Sequence, residues 1–260
     1  MEKLIKHVVR IGNSAGVVLP KKWLNGEARV ELIHKPINIK EDVLEILSPY
    51  LKNISGIYLT GSYARNEQTK KSDIDVLVIG SGIDKQIKKG KYNIIIISEE
   101  KIEEQNEKNA LPVLPMLKEA KVILNAPLIK NYRKSKITKK NVKWHVETTK
   151  SALKLIREFL DMNKKINEKP GKGEIYSLIL RLRTVYIINC LRKNKKWSKK
   201  ELLSLIKEIS GSLKAYEAYE NIKNNEKINE VRLEELERLY KYLEDKTRIL
   251  EKWIKKEKRD

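Results

Sequence analysis

Tyr58-Leu59-Thr60-Gly61-Ser62-Tyr63-Ala64-Arg65, followed after a polar spacer by Ser72-Asp73-Ile74-Asp75-Val76-Leu77-Val78-Ile79, is the stretch on which the fold turns. Side chains on a strand repeat with period two, so Asp73 and Asp75 share one face while Ile74 and Val76 take the other. Two like charges this close are costly to keep ionised in a partly buried place, and a divalent cation is the usual relief. Upstream, the apolar strand Ile57 to Leu59 runs into Gly61-Ser62, and a short helix is expected through Ala64. Glycine lets the backbone approach a ligand closely, and free N–H groups at a helix start attract phosphate oxygens. Read apart, Gly61-Ser62 is a turn and Asp73-Ile74-Asp75 a solvated strand face. Read together, they suggest a nucleoside triphosphate held with Mg²⁺.

These residues resemble the DNA polymerase beta-like nucleotidyltransferases, above all their minimal members. The signature there is Gly-Ser, a spacer of about ten residues and Asp-hydrophobic-Asp, and Tyr63 to Ser72 fits the spacer. The resemblance implies that Asp73 and Asp75 are catalytic and hold metal, and that Gly61 and Ser62 bind the nucleotide. Arg65 and the Lys70-Lys71 pair are further candidates for phosphate contact, against a default of solvated charge. In that family a later strand supplies a third carboxylate, which binds metal and takes the proton from the attacking hydroxyl. Asn93, in Tyr92-Asn93-Ile94-Ile95-Ile96-Ile97-Ser98, stands at the matching place. An amide can ligate a metal but cannot act as a base at neutral pH. Three explanations stay open: another base such as Glu99 or Glu100, nucleotide binding without transfer, or a different alignment.

The chain has 260 residues, 40% of them hydrophobic, with a formal net charge of +21. That is enough apolar material for two or three modest domains and excludes a disordered polyelectrolyte. The charge is unevenly placed, with about 8 basic against 3 acidic residues over 1–40, about 12 against 13 over 41–125, and about 36 against 19 over 126–260. Basic flanks around a near-neutral core suit DNA or RNA, although a composition rich in Lys, Glu and Ile also fits growth at high temperature. The single cysteine, Cys190, excludes an intrachain disulfide and, with no signal peptide in view, points to the cytoplasm. No apolar run approaches the length of a membrane span. His7, His34 and His145 make no metal-ligand spacing.

At the N-terminus, Leu4 to Arg10 alternate like a strand, break at Gly12-Asn13-Ser14, resume through Gly16 to Pro20, and lead to a second expected strand, Ala28 to Ile33. The unit has too few apolar residues for a core of its own. The string VVRIGNSAGVVLPKKWL followed by GEARVELI is similar to the swapped-hairpin domains of AbrB and MazE-type regulators. That likeness implies an intertwined homodimer and DNA contacts from Arg10, Asn13, Ser14 and Lys21; the plainer alternative is dimerisation alone.

The rest reads as a helix from Ile39 to Leu51, stopped near Pro49; the strand pair with Gly80-Ser81-Gly82 and a lysine-rich loop; a short helix and closing edge strand within 111–124; and a basic linker from Asn131 to Asn141. Beyond it, apolar stripes at Val146, Thr149, Leu153, Ile156 and Leu160, at Ile175 to Asn189, and at Leu236 to Ile254 predict a helical bundle. Ser198-Lys199-Lys200-Glu201 is a capping box, with Trp197 and Leu202 as its staple. A bundle after such a core resembles both the substrate-binding halves of aminoglycoside nucleotidyltransferases and HEPN domains. No histidine follows Arg181 or Arg183, so HEPN-type ribonuclease activity is not expected. The expectation is an α+β chain: a small β swapped-hairpin domain over 1–36, a nucleotidyltransferase mixed β-sheet core with flanking helices over 37–128, and a C-terminal helical bundle over 141–258. The expected activity is transfer of a nucleoside monophosphate to a hydroxyl of a protein, RNA or small molecule. The alternative is a dimeric, antitoxin-like DNA-binding regulator with a degenerate nucleotidyltransferase domain.

Overall fold

The structure, a computed structural model, describes residues 2–33, 37–70 and 72–256. It falls into two units, 1–42 and 43–260. The first holds an antiparallel hairpin, β1 (Val8–Ile11) and β2 (Ser14–Val17), turned at Gly12-Asn13 with Gly12 at a φ of 59°. A glycine at the first central position suits a two-residue hairpin turn. A short 3₁₀ turn follows at Lys21–Trp23. The strand expected over Ala28 to Ile33 does not form. Alternation alone does not make a strand, and among the described residues no strand pairs with it. None of residues 2–33 is buried, and Ile5, Val18, Leu24 and Val30 stand more than 60% exposed.

The second unit is built on a five-stranded sheet ordered β5-β6-β4-β3-β7. Its strands are β3 (Ile54–Thr60), β4 (Ile74–Gly80), β5 (Lys85–Lys89), β6 (Tyr92–Ser98) and β7 (Lys121–Leu124). Only β4 and β6 pair in parallel, so the sheet is mixed. Helix α1 (Ile39–Leu47) leads in, and the chain continues as a 3₁₀ turn from Ser48 around Pro49. The lysine-rich segment after Gly82, expected as a loop, is the edge strand β5. Lysines along an edge strand keep it from pairing further, which is why its own sequence does not look like a strand.

Between the strands lie α2 (Gly61–Arg65), α3 (Glu99–Lys108), α4 (Leu114–Glu119) and α5 (Ala126–Tyr132). The expected linker is therefore short: α5 runs into its start, and Thr138 caps the next helix with a complete capping box to Asn141. The helical region comprises α6 (Lys139–Ile166), α7 (Lys172–Arg192), α8 (Lys199–Ser210), α9 (Lys214–Lys223) and α10 (Leu233–Lys255). The expected stripe of α6, from Val146 to Leu160, is wholly buried against a core that includes Leu178, Leu182, Leu239 and Leu243. Among the described residues no helix is long and apolar enough to cross a membrane.

Candidate active site

Thr60 ends β3 opposite Asp75 on β4, and its hydroxyl donates to the Asp75 carbonyl at 3.2 Å. The chain then turns at Gly61, with a φ of 66°. A Cβ there would lie 2.2 Å from Asp75 Oδ2, so the position needs glycine both for its backbone conformation and for space. The Gly61 turn and the Asp75 carboxylate are thus packed into one another. Asp73, just before β4, is exposed and makes no hydrogen bond or ion pair among the described residues. The Ser62 hydroxyl is likewise free. Lys71 lies outside the described residues.

On the neighbouring parallel strand, Asn93 is in register with Asp75 and donates its amide to Asp75 Oδ1 at 2.9 Å. Gln86 of β5 donates to Asn93 Oδ1 at 2.8 Å, which fixes the orientation of the amide. The next residue on that face, Ile95, lines the adjoining cleft. Glu99 and Glu100 begin α3 at the far end of β6, about 20 Å from Asn93 at strand rise. Glu99 accepts from the Tyr132 hydroxyl there, so neither carboxylate reaches the Asp75 side chain.

Arg65, expected as a phosphate contact, is already engaged. Its Nη1 donates to Glu119 Oε2 at 2.6 Å and its Nε to Glu67 Oε2 at 2.8 Å, while the guanidinium sits 4.0 Å from the centroid of the Trp197 ring. Glu119 Oε1 in turn accepts the Gly61 N–H at 2.7 Å. Burial pushes the Glu119 carboxyl up, against the lowering effect of Arg65 and the Gly61 bond. Glu67 caps α8 across the chain: it accepts from Ser198 Oγ and from the N–H groups of Lys199 (3.0 Å) and Lys200 (3.4 Å). The capping box at 198–201 is therefore half local, since Glu201 accepts from Tyr186 instead. Burial alone would raise the Glu67 carboxyl, but the bonds from Ser198, Arg65 and the two backbone N–H groups outweigh it and hold it down at about 2.

A cleft of about 480 Å³ opens between this end of the sheet and the helices. Thr60, Gly61, Arg65, Asp75, Ile95 and Glu119 form one wall, and Asn109, His145, Arg183, Thr184, Ile187 and Trp197 belong to the other. Arg183 lies 5.4 Å from the Trp197 ring and has no carboxylate partner among the described residues. Sequence reading missed Glu67, Glu119, His145, Arg183 and Trp197 as parts of the site. Nothing adjacent to these residues in the sequence marks them as parts of one site.

Arg10, Asn13 and Ser14 come together at the tip of the β1–β2 hairpin, and Lys21 lies beyond it in the 3₁₀ turn, all exposed. Arg10 Nε donates to the Gly12 carbonyl at 2.9 Å.

Residues 38–171, just over half of the chain, match the family described as the nucleotidyltransferase domain. The chain belongs to that family. A Methanocaldococcus jannaschii protein, provisionally named a protein adenylyltransferase, is 50% identical over 42 residues, which are 16% of this chain and 42% of that protein. The chain thus spans less than half the length of the relative it matches. Two solved structures are similar at a TM-score of 0.39: a nucleotidyltransferase-like protein of Exiguobacterium sibiricum (13% identity, 82% of this chain and 75% of that one) and the Enterococcus faecialis spectinomycin adenyltransferase AAD(9) with ATP and spectinomycin (17% identity, 80% and 97%).

The candidate metal ligands beside the Gly61 turn, Asp73 and Asp75, are oxygen donors. Among the described residues no three His, Cys, Asp or Glu side chains converge as a metal cage. Asp73 and Asp75 suit Mg²⁺, a hard cation commonly bound through one or two carboxylates with substrate phosphates completing its shell.

Proposed function

We propose that this nucleotidyltransferase moves a nucleoside monophosphate from a triphosphate, with ATP the first candidate, to a hydroxyl of a protein, RNA or small molecule. One observation carries the reading: the Gly61 turn is built around the Asp75 carboxylate, with Asp73 exposed two residues earlier and unpaired among the described residues. Asp73 and Asp75 hold the metal, and Gly61 and Ser62 receive the triphosphate. Mg²⁺, when bound, supplies the positive charge that offsets the phosphates. The residues' own contribution is positioning: an in-line displacement at phosphorus needs an aligned acceptor more than covalent help. Arg65 acts here by holding the turn through Glu119 rather than by touching phosphate. The name of the archaeal relative supports adenylyl transfer to protein as one form of this activity.

The test is incubation of the purified protein with Mg²⁺ and each of the four α-labelled triphosphates, with and without cell extract. Label appearing in protein or RNA, and lost in the Asp73→Asn, Asp75→Asn double variant, is the expected result. Transfer that persists in that variant refutes the assignment.

A second reading concerns residues 1–36. The exposure of nearly every large apolar side chain in this unit favours a second copy covering it, as in the AbrB and MazE-like hairpins, with Arg10, Asn13, Ser14 and Lys21 facing DNA. On this reading the chain is a cytoplasmic homodimer, and the amide at Asn93 fits a core that has lost transfer and serves regulation. Duplex binding should then weaken steeply with salt and vanish when residues 1–36 are removed. Binding that survives the truncation counts against it.

A further inference from the structure

The transfer reading leaves the acceptor proton without a destination. The cleft-side face of β6 offers Asn93 and Ile95, neither of which can take it. The titratable groups that line the cleft are Arg65, Asp75, Glu119, His145 and Arg183. A guanidinium carries donors only and offers no lone pair to a proton. Asp75 accepts from Asn93 on one oxygen and lies against Gly61 with the other, in the place assigned to metal. Both oxygens of Glu119 are occupied, by Gly61 N–H and by Arg65.

We propose that His145, on the helical wall of this cleft, takes the proton from the acceptor hydroxyl. The inference rests on the transfer reading and adds a residue to it. His145 stands on α6, its ring edge-on to Trp144 at 4.8 Å, and its Nε2 lies 3.0 Å from Asn109 Oδ1. An amide oxygen only accepts, so this bond places the hydrogen on Nε2 and leaves the Nδ1 lone pair free. A base oriented through its far nitrogen by a second side chain is the arrangement that proton abstraction requires. Burial lowers the pKa of the imidazole, and the positive charge of Arg181 on α7 adds to the effect, which favours the neutral, proton-accepting ring. Arg183, Arg65, Glu119 and Asp75 are the other charged groups lining the same cleft.

In the step itself, the acceptor O–H bond breaks and its proton passes to Nδ1. The oxygen bonds to the α-phosphorus, the bond from that phosphorus to the bridging oxygen breaks, and pyrophosphate leaves with the electron pair. His145 then returns its proton to solvent. No oxidant, reductant or other co-reactant is needed.

The experiment measures label transfer by the full chain from pH 5 to 9 for the wild type, His145→Gln and His145→Ala, with Mg²⁺-ATP affinity and far-ultraviolet circular dichroism measured in parallel. The expected result is an acid limb in the wild type and a loss of about 10²- to 10⁴-fold in His145→Gln with no acid limb and unchanged ATP affinity. Added imidazole should restore part of the rate to His145→Ala, which a structural role would not allow. Should His145→Gln misfold, Asn109→Asp gives a second readout: a carboxylate on Nε2–H raises the imidazole, so the acid limb should move to higher pH. Transfer that needs Asp73 and Asp75 but is indifferent to His145 overturns this proposal and leaves the transfer reading standing. A retained acid limb in His145→Gln, or no movement of the limb in a folded Asn109→Asp variant, overturns it as well. No transfer from the wild type overturns both.

Discussion

Replacing Arg65 with alanine separates a pin from a phosphate ligand. The guanidinium is paired with Glu119 and Glu67, whose side chains are only 5% and 7% exposed, while its own is 10% exposed. Removing one partner of a buried pair costs about 3–5 kcal/mol, because the charge left behind is uncompensated. Loss of the Trp197 contact adds up to about 2 kcal/mol. These terms overlap, so a net loss of at least about 3 kcal/mol is expected, a large share of the roughly 5–15 kcal/mol typical of a folded chain. The deficit should depend on pH with a definite sign. Glu119 already sits above its unfolded range, and without Arg65 it rises further. A raised acid is most destabilising when forced to ionise, so the deficit is largest at pH 8 and shrinks as pH falls through the folded value. Urea unfolding at pH 8 and pH 5 measures this, and adding Glu119→Gln to Arg65→Ala should return part of the loss at pH 8. If Arg65→Ala costs less than about 1 kcal/mol while the Kd for Mg²⁺-ATP weakens, Arg65 is a phosphate ligand and the pin is wrong.

Glu67→Gln should cost on the order of 3 kcal/mol at pH 7, since the carboxyl is held at about 2 against about 4.3 in an unfolded chain. In the wild type this contribution is present above pH 4.3 and disappears as pH falls toward 2, so acid titration of stability should be flatter in the variant. Asn93→Asp brings a second carboxylate against Asp75 in place of a donor at 2.9 Å, and calorimetry should show a metal-free stability loss of about 1–3 kcal/mol that Mg²⁺ largely reverses. Gly61→Ala must move Asp75 or the turn, and it should lower both stability and Mg²⁺-ATP affinity; an alanine variant with wild-type values for both would refute the packed arrangement. If residues 1–36 hold the proposed dimer together, removing them should more than halve the mass seen by sedimentation, while a truncated chain that still sediments as a dimer would place the contact elsewhere.

What could be read from sequence followed the range of the interactions involved. The closeness of Gly61 and Asp75 was legible because a period-two strand and a tight turn write themselves into adjacent residues, while Asp73 lies just before the strand rather than in it. The bundle helices were visible because each buries a stripe of its own, and Ser198 because a cap is local. β5 was not, since Lys85 to Lys89 owe their extended form to pairing with β6 rather than to their side chains. Residues 28–33 show the reverse, a strand pattern without a strand to pair with. Glu119, Trp197 and His145 reach the cleft only through tertiary closure, and their immediate neighbours give no sign of it. The Asn93 question narrowed for the same reason: register with Asp75 is a property of the sheet, and it puts Asn93 beside that carboxylate and Glu99 at the other end of the strand.

The bond between Glu67 and the start of α8 spans 131 residues of chain, and it bears on the order in which the molecule assembles. Doubling a loop adds only about 0.6 kcal/mol of closure entropy, so such a distant cap remains affordable at equilibrium. Its cost falls on time. During synthesis the Arg65–Glu119 pair can form once α2 and α4 have emerged with the sheet, while Glu67 must wait for Ser198 and the start of α8. The seam between sheet and helices is therefore expected to close last, making chains interrupted before α8 a source of half-finished molecules with a bare carboxylate at the edge of the cleft.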